Sequence, residues 1–166
     1  MRILGIDPGI GITGWSILEP GQTRHALIAA GTITTTPNAP TPDRLIVLHQ
    51  SLGDLMTTYQ PTELALEKLF FAKNVTTAMR VSEARGVVLL TAAERLLAVY
   101  EYTPPEVKQL VVGYGNATKR QVIAMLPHHL NGALIPTQDD AADAIAIALT
   151  HLAHRATVHA GAVGAL

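Results

Sequence analysis

The 166-residue sequence contains no cysteine, and its aromatic residues are limited to one tryptophan, four tyrosines and two phenylalanines. Without thiols, the chain can form neither a disulfide framework nor a thiolate zinc site. No uncharged apolar run approaches the roughly 18 to 20 residues that span a bilayer. Asp7 interrupts the first apolar stretch almost at once, which does not fit a secretory signal. We therefore expect a globular, cytoplasmic protein with a core of its own and no membrane partner.

The sequence also lacks a positive net charge. Its formal charge at pH 7 is −1, whereas strong DNA binders tend to be basic overall. The charges are unevenly distributed along the chain, however. The segment from Lys68 to Arg120 holds eight basic residues and only four acidic ones. Such a local excess is typical of a surface that attracts an anionic partner. Ordinary solvated helix faces are the alternative explanation.

Five short apolar segments predict β-strands. Turn signals at Pro8-Gly9 and Pro20-Gly21 separate the first three, which favours an antiparallel meander. The predicted strands cover residues 2–7, 13–18, 25–34, 62–67 and 99–102.

Helical spacing of apolar residues predicts the helices that lie between and after these strands. Residues 41–43 offer an N-cap threonine, a proline and an acid in the first turn, and Pro61 ends that helix. Thr118 and Gln121 have the spacing of a capping box. The predicted helices cover about 41–60, 74–97, 104–112, 118 onward and 137–154, and the Ala/Gly-rich tail 155–166 is predicted to be frayed.

This order of elements predicts a mixed α/β fold. A three-stranded antiparallel meander and two parallel strands would form one five-stranded sheet with helices on its faces. An RNase-H-like layout is one of the folds compatible with this pattern. Because the sequence shows no internal repeat and no linker, residues 1–154 are predicted to form a single domain.

Two acids stand where apolar strands end. Asp7 closes the first predicted strand and Glu67 closes the fourth. A carboxylate at the end of a buried strand is costly unless it is hydrogen-bonded, paired or bound to a metal. The structural alternatives are an Asp side chain that caps its own turn and a Glu that is exposed as the chain leaves the sheet.

Further acids open the last predicted helix. Asp140 and Asp143 are three residues apart and therefore project from one helical face. We assign Asp139 to the helix start, where negative charge is favoured without any function. The rest of this helix is almost wholly apolar, so its acids enter a partly dry site. Like charges there raise each other's pKa unless a cation neutralises them.

A metal site would account for these acids together. The residues that we call the four acids are Asp7, Glu67, Asp140 and Asp143. Magnesium prefers oxygen ligands, and pairs of ions serve phosphodiester cleavage by activating water and by stabilising the leaving 3′ oxygen. We therefore predict that the four acids are catalytic and converge to hold two Mg²⁺ ions.

Five motifs, in consistent order over residues 1–154, resemble the RuvC family of Holliday-junction resolvases. The motifs are Gly5-Ile6-Asp7-Pro8-Gly9 with Thr13-Gly14, Glu67 with Phe70 and Ala72-Lys73-Asn74, Ala84-Arg85-Gly86, Val107-Lys108-Gln109 with Val111-Val112-Gly113, and Asp140-Ala141-Ala142-Asp143-Ala144. Any one of them is weak evidence, and the five together are specific.

The resemblance implies an RNase-H-like nuclease domain and a homodimeric endonuclease that acts in recombination and DNA repair. Such an enzyme makes paired symmetric nicks in four-way DNA junctions and leaves 5′-phosphate and 3′-hydroxyl ends. The implied cofactor is Mg²⁺, with Mn²⁺ able to substitute, and the family's metal ligands fall on the four acids. The implied partner is a RuvA–RuvB-type branch-migration complex.

The resemblance also implies DNA contacts. Phe70 matches an aromatic that the family uses against junction bases, and stacking on a base contributes about 1–3 kcal/mol. A position in the core is the alternative for Phe70. Lys108 and Lys119 match basic residues near the family's active site and are expected to hold scissile phosphates. The looser predicted contacts are Lys73, Arg80 and Arg120.

One side of the long middle helix offers a surface for a two-fold dimer. A dimer of this kind presents two active sites to opposite strands of a junction. Packing only within its own subunit is the alternative for this side. Its residues are Val75, Met79, Ser82, Gly86, Val87 and Leu90.

Two histidines on the last helix invite a second metal hypothesis. His151 and His154 share a helical face, but the sequence places no acid or cysteine close to them. We therefore expect both to be solvated surface residues.

Three other functions compete with junction cleavage. Asp7, Gly9 and Thr13-Gly14 also resemble the phosphate loop of actin-like ATPases and sugar kinases, but those enzymes need a second, similar lobe that 166 residues cannot supply. The second competitor is a junction-binding protein without catalysis, against which the four acids argue. The third is a nuclease for ribosomal RNA precursors or RNA–DNA hybrids, against which the Phe70 and lysine matches argue.

Overall fold

A computed structural model describes residues 1–68 and 75–163, with the side chains at 75–77 and 158–163 left out of the description. The strands are β1 (Ile3–Asp7), β2 (Ile12–Glu19), β3 (Ala26–Thr34), β4 (Glu63–Glu67) and β5 (Ala98–Tyr102). The helices are α1 (Thr41–Tyr59), α2 (Val75–Glu94), α3 (Pro104–Val112), α4 (Lys119–His129) and α5 (Asp139–Val163).

The five strands form one mixed sheet in the order β3-β2-β1-β4-β5. The meander of β1, β2 and β3 is antiparallel, β4 lies parallel to β1, and β5 lies parallel to β4. This arrangement confirms the predicted three-plus-two sheet. Since β1 and β4 are parallel neighbours, their carboxyl ends lie at the same edge of the sheet.

Helices cover both faces of the sheet, and each face has its own core. On one face, α5 packs with α3 and α4 around fully buried residues such as Ile145. On the other face, α1 and α2 pack around Leu48 and Leu52. Each such side chain contributes roughly 1.5–3 kcal/mol when fully buried. In the described part of the chain, no helix is both long and apolar enough to cross a membrane.

Two helix ends differ from the sequence-based prediction. Pro40 occupies the N-cap position of α1, so Thr41 is already helical and makes no side-chain cap. The last helix begins at Asp139 and continues to Val163, beyond Arg155, where its composition predicted a frayed tail. Alanine has the highest helix propensity, and an ion pair between Arg155 and Glu63 ties this extension to β4.

His151 is buried, so the prediction of a solvated position is wrong. Its Nδ1 lies 2.7 Å from the Tyr102 hydroxyl, and its Nε2 lies 2.6 Å from the carboxylate of Glu63, which is 88 residues away in sequence. Burial, with a smaller contribution from His154, lowers the pKa of His151 to about 4. A neutral imidazole satisfies both contacts, because one ring nitrogen accepts from Tyr102 and the other donates to Glu63.

Candidate active site

Asp7 and Glu67 meet at one edge of the sheet. Ile6 of β1 pairs with Leu66 of β4, so each acid directly follows a paired residue at the carboxyl end of its strand. The contact with Glu67 raises the pKa of Asp7, and the contact with Asp7 acts to lower the pKa of Glu67. A carboxyl group keeps its proton more readily when an ionised carboxylate lies beside it. Of this pair, Asp7 is therefore the acid that holds a proton more readily.

Asp140 and Asp143 reach the same edge from the first turns of α5. This end of α5 lies directly on β2 at Gly14, and Gly14 is the cross-strand partner of Asp7. Both aspartates are close enough to Asp7 to disfavour its ionisation. The structure thus brings together all four acids, which come from three elements that are far apart in the sequence.

The four acids form a site in which full ionisation is unfavourable. Burial, followed by the charges of Glu67, Asp143 and Asp140, raises the pKa of Asp7 from 3.8 to about 8. Burial is also the main cause that raises the pKa of Glu67 and the pKa of Asp143. Acids that crowd into a partly dry site without a cation show this behaviour.

Two lysines border the acids. The Nζ atom of Lys119 lies 2.7 Å from Oδ2 of Asp143 and 3.6 Å from Oδ2 of Asp139. Partial burial acts to lower the pKa of Lys119, but the hydrogen bond and the charge of Asp143 outweigh it, so this pKa is raised. Lys108 lies close enough to Glu67 to favour the ionised carboxylate. Both lysines therefore supply positive charge beside the acids.

A cavity of about 260 Å³ opens beside this charged cluster. Its wall combines two of the four acids and both lysines with apolar side chains from α3, α4 and α5. The lining residues are Glu67, Pro104, Val107, Lys108, Lys119, Val122, Asp143, Ala146 and Ile147. Such a lining offers charged partners to a phosphate group and apolar surface to its attached sugar.

The other residues predicted to contact DNA lie apart from this cavity or outside the described residues. Arg80 on α2 and Arg120 on α4 are exposed, and neither lines the cavity. Phe70 and Lys73 fall in the segment 69–74, outside the described residues. Contacts of DNA with these four residues stay predictions.

The donor set fits a hard cation. All four acids offer carboxylate oxygens, which are the ligands that Mg²⁺ prefers. Among residues 1–68 and 75–163, no three His, Asp or Glu side chains are already arranged to hold an ion. Lys119 lies 2.7 Å from Oδ2 of Asp143, which is an oxygen that an ion bound by Asp143 would need.

Two hydroxyl contacts that help to position the acids were not predicted, although Thr13 itself belongs to the first family motif. The Thr13 hydroxyl donates to the Gly9 carbonyl at 2.6 Å and accepts from the Gly9 N–H at 3.3 Å, which closes the turn after Asp7. The buried Ser16 hydroxyl donates to the Ala144 carbonyl at 2.9 Å and so fastens α5 to β2. The available signal was a lone hydroxyl within an apolar strand, which needs a partner when it is buried.

Asp7→Asn is expected to stabilise the metal-free protein at about pH 8 while it removes a candidate ligand. The pKa of Asp7 is about 8 in the folded chain against an ordinary value of 3.8, so between these values the folded state keeps a proton that the unfolded chain has lost. The unfolding free energy of the wild type therefore falls as pH rises from about 4 to about 8, and a neutral Asn escapes this loss.

Urea denaturation in EDTA at about pH 5 and about pH 8 measures this difference. The gain of Asp7→Asn over the wild type should be larger at the higher pH. Asp54→Asn, at an exposed position on α1, is the matched control and should show no such gain. If the two variants respond alike to pH, burial of Asp7 among the other acids does not cost stability.

Comparison with known proteins places the chain in a family. The family model described as crossover junction endodeoxyribonuclease RuvC matches residues 3–151. The protein of that name from Finegoldia magna is 48% identical over 152 residues, which cover 92% of this chain and 93% of the relative. The one from Thermomicrobium roseum is 46% identical over 151 residues, which cover 91% of this chain and 92% of the relative.

Solved structures agree with the sequence relatives. Thermus thermophilus RuvC in complex with a Holliday junction substrate superposes with a TM-score of 0.87 at 33% identity, over 93% of this chain and 94% of that one. A yeast mitochondrial Holliday junction resolvase superposes with a TM-score of 0.70 at 16% identity, over 93% and 79% of the two chains, which supports the fold alone. The predicted RNase-H-like fold is confirmed, and the chain belongs to the RuvC family of crossover junction endodeoxyribonucleases.

Proposed function

We propose that this chain is a homodimeric, Mg²⁺-dependent Holliday-junction resolvase that makes paired symmetric nicks in four-way DNA junctions. Its products carry 5′-phosphate and 3′-hydroxyl ends, and it serves recombination and DNA repair in the cytoplasm beside a RuvA–RuvB-type complex. Family membership supplies the class of enzyme. The single observation that carries the site assignment is the meeting of the four acids at one sheet edge, where burial and the neighbouring acids raise the pKa of Asp7 and Lys119 contacts Asp143.

The four acids hold two Mg²⁺ ions in this proposal, and Mn²⁺ can replace them. When bound, the ions supply an activated water and charge stabilisation for phosphodiester hydrolysis. Binding of the ions would displace the proton that the raised pKa keeps on Asp7, and the ions would compete with Lys119 for Asp143. The raised pKa of Asp7 supports this proposal, because burial and then the neighbouring acids disfavour its charged form, and a bound cation favours that form.

Lys119 is suited to bind the scissile phosphate. Its side chain is 46% exposed at the cavity rim, so its charge is accessible to a strand that enters the cavity. A phosphate oxygen offers Lys119 a new anionic partner when Asp143 turns to a metal ion. Lys108 lines the same cavity and favours the ionised form of Glu67. The two lysines therefore position the substrate and balance the charge of the acids.

The remaining contacts are proposed from the family motifs. Phe70 stacks on a base exposed near the crossover, and Lys73, Arg80 and Arg120 bind the phosphate backbone. The exposure of Arg80 and Arg120 is consistent with this role. Because phosphate contacts dominate such binding, we expect junction affinity to fall steeply as the salt concentration rises.

The homodimer is proposed to form through α2. Met79 and Leu90 are 62% and 57% exposed within the chain. A Cβ added at Gly86, on the same side of α2, would meet no atom within 4 Å. Large exposed apolar side chains around a glycine allow a second helix to approach closely. Val87, predicted to share this surface, packs instead against the chain's own core.

Cleavage of an end-labelled, mobile four-way junction tests the activity. With Mg²⁺ or Mn²⁺ we expect paired nicks at symmetric positions and none with EDTA. A linear duplex and an RNA–DNA hybrid should stay intact. Asp143→Asn is expected to lower the rate by more than about 100-fold, because the loss of a direct ligand exceeds the usual effect of its outer-shell supports. Junction binding should persist in this variant.

Asp54→Asn on α1 is the matched control for this assay, and it should cut at the wild-type rate. Tight junction binding without nicks, with either metal, would leave a structure-specific binding protein and overturn the proposed activity. Cleavage of the hybrid in preference to the junction would instead favour the RNA-directed alternative.

Leu90→Arg is expected to convert the dimer to a monomer, because it places a charge within the proposed apolar contact. Sedimentation equilibrium measures the change. Leu134→Arg introduces the same side chain at a position that is 95% exposed and lies outside α2, and it should leave the dimer intact. A wild type that sediments as a monomer, or a Leu90→Arg variant that remains dimeric, would exclude this surface.

A further inference from the structure

Gly14 lies where the sheet that carries Asp7 and Glu67 contacts the helix that carries Asp140 and Asp143. In the antiparallel pairing of β1 and β2, Gly14 lies directly opposite Asp7. The first turn of α5 crosses this point, and α5 carries Asp140 and Asp143. Gly14 therefore lies between Asp7, its neighbour on β1, and the backbone of α5 at Asp140. How closely α5 approaches Gly14 sets the distance from Asp7 to the acids of α5.

The contact at Gly14 leaves no room for a side chain. A Cβ at this position would lie 1.9 Å from the Asp140 carbonyl oxygen, 2.4 Å from its carbonyl carbon and 3.2 Å from the Ala141 nitrogen. All three are backbone atoms of α5, so no change of rotamer could relieve the clash. The helix itself would have to move.

A second contact, one helical turn further along, fixes the same helix. Gly5 on β1 lies opposite Ser16 on β2, and a Cβ at Gly5 would lie 2.2 Å from the Ala144 carbonyl oxygen. The Ser16 hydroxyl donates to that same oxygen at 2.9 Å. Since Asp140 and Ala144 are four residues apart, both contacts lie on one side of α5 and set its height above the sheet and its position along its axis.

We propose that Gly14 is a positioning residue for Mg²⁺: it sets the separation between Asp7 and the two aspartates of α5, and so selects an ion that demands strict geometry. This inference rests on the proposed function of the four acids. Mg²⁺ requires near-ideal octahedral ligands at 2.0–2.1 Å, whereas Ca²⁺ accepts flexible geometry at 2.3–2.6 Å. The tightness of the Gly14 contact is thus expected to affect the choice of ion.

The distance by which α5 would have to move to make room for a Cβ at residue 14 supports this expectation. To restore a separation of at least 3.0 Å from 1.9 Å, the Asp140 carbonyl must withdraw by about 1.1 Å. Functional groups in a preorganised site must be held within about 0.5 Å of their working positions. A methyl group at residue 14 therefore moves the α5 acids further than a Mg²⁺ site tolerates.

Binding of Mg²⁺ and of Ca²⁺ to the full chain, measured by calorimetry without DNA, tests the proposal. Gly14→Ala is expected to raise the Kd for Mg²⁺ at least tenfold and the Kd for Ca²⁺ distinctly less. Gly31→Ala is the matched control, because the three atoms nearest to its Cβ would all belong to the Trp15 ring, the first of them at 3.1 Å. It should lower the unfolding temperature and leave both Kd values unchanged. A role of Gly14 in stability alone would not change the ratio of the two Kd values.

Ser16→Ala provides a milder variant in case Gly14→Ala does not fold. It removes the hydrogen bond to Ala144 without a clash and is expected to raise the Kd for Mg²⁺ several-fold, again more than that for Ca²⁺. Unchanged Kd values in folded Gly14→Ala, or in Ser16→Ala when the first variant does not fold, would overturn the inference. If the wild type itself binds neither ion, or if Asp143→Asn binds both ions as the wild type does, the proposed metal site fails instead.

Discussion

The candidate site depends on one contact, the close packing of α5 on the backbone of β1 and β2. Asp7 and Glu67 are brought together by the parallel pairing of β1 with β4, but the acids of α5 join them only because a helix can lie directly on Gly5 and Gly14. Alanines on the facing side of α5, among them Ala141, Ala144 and Ala148, are fully buried there. A side chain at Gly14 would clash with the backbone of α5 at Asp140, and in our proposal it would move the α5 acids away from Asp7.

Bringing four carboxyl groups together has an electrostatic cost, and the structure shows how the chain meets it. Asp7 keeps its proton up to about pH 8, and Nζ of Lys119 lies 2.7 Å from Oδ2 of Asp143. In the proposed function, metal ions would replace this proton and this lysine contact. Lys119 lines the cavity in which we propose that a phosphate binds. The proposal therefore assigns charge compensation and substrate binding to the same lysine.

Much of this was predictable from the sequence, and what escaped depends on three-dimensional packing. Alternating and continuous apolar runs predicted all five strands, and the ends of two strands, with the first turn of the last helix, predicted the convergence of the acids. Periodicity could not place Ser16 against Ala144, because a contact between residues 128 apart leaves no local signal. The same limit explains His151, whose partner Glu63 is 88 residues away. Composition predicted a frayed tail from residue 155, whereas α5 continues to Val163, in keeping with the high helix propensity of alanine.

The central claim is that the four acids form a metal site in which Asp7 keeps a proton and Lys119 contacts Asp143 until an ion binds. Its most direct test is the number of protons released when Mg²⁺ binds, obtained by calorimetry at about pH 7 in buffers of different ionisation enthalpy. The account predicts that about one proton leaves per site and that this release disappears in Asp7→Asn. Binding of Mg²⁺ without proton release, at an affinity that Asp7→Asn does not change, would contradict it.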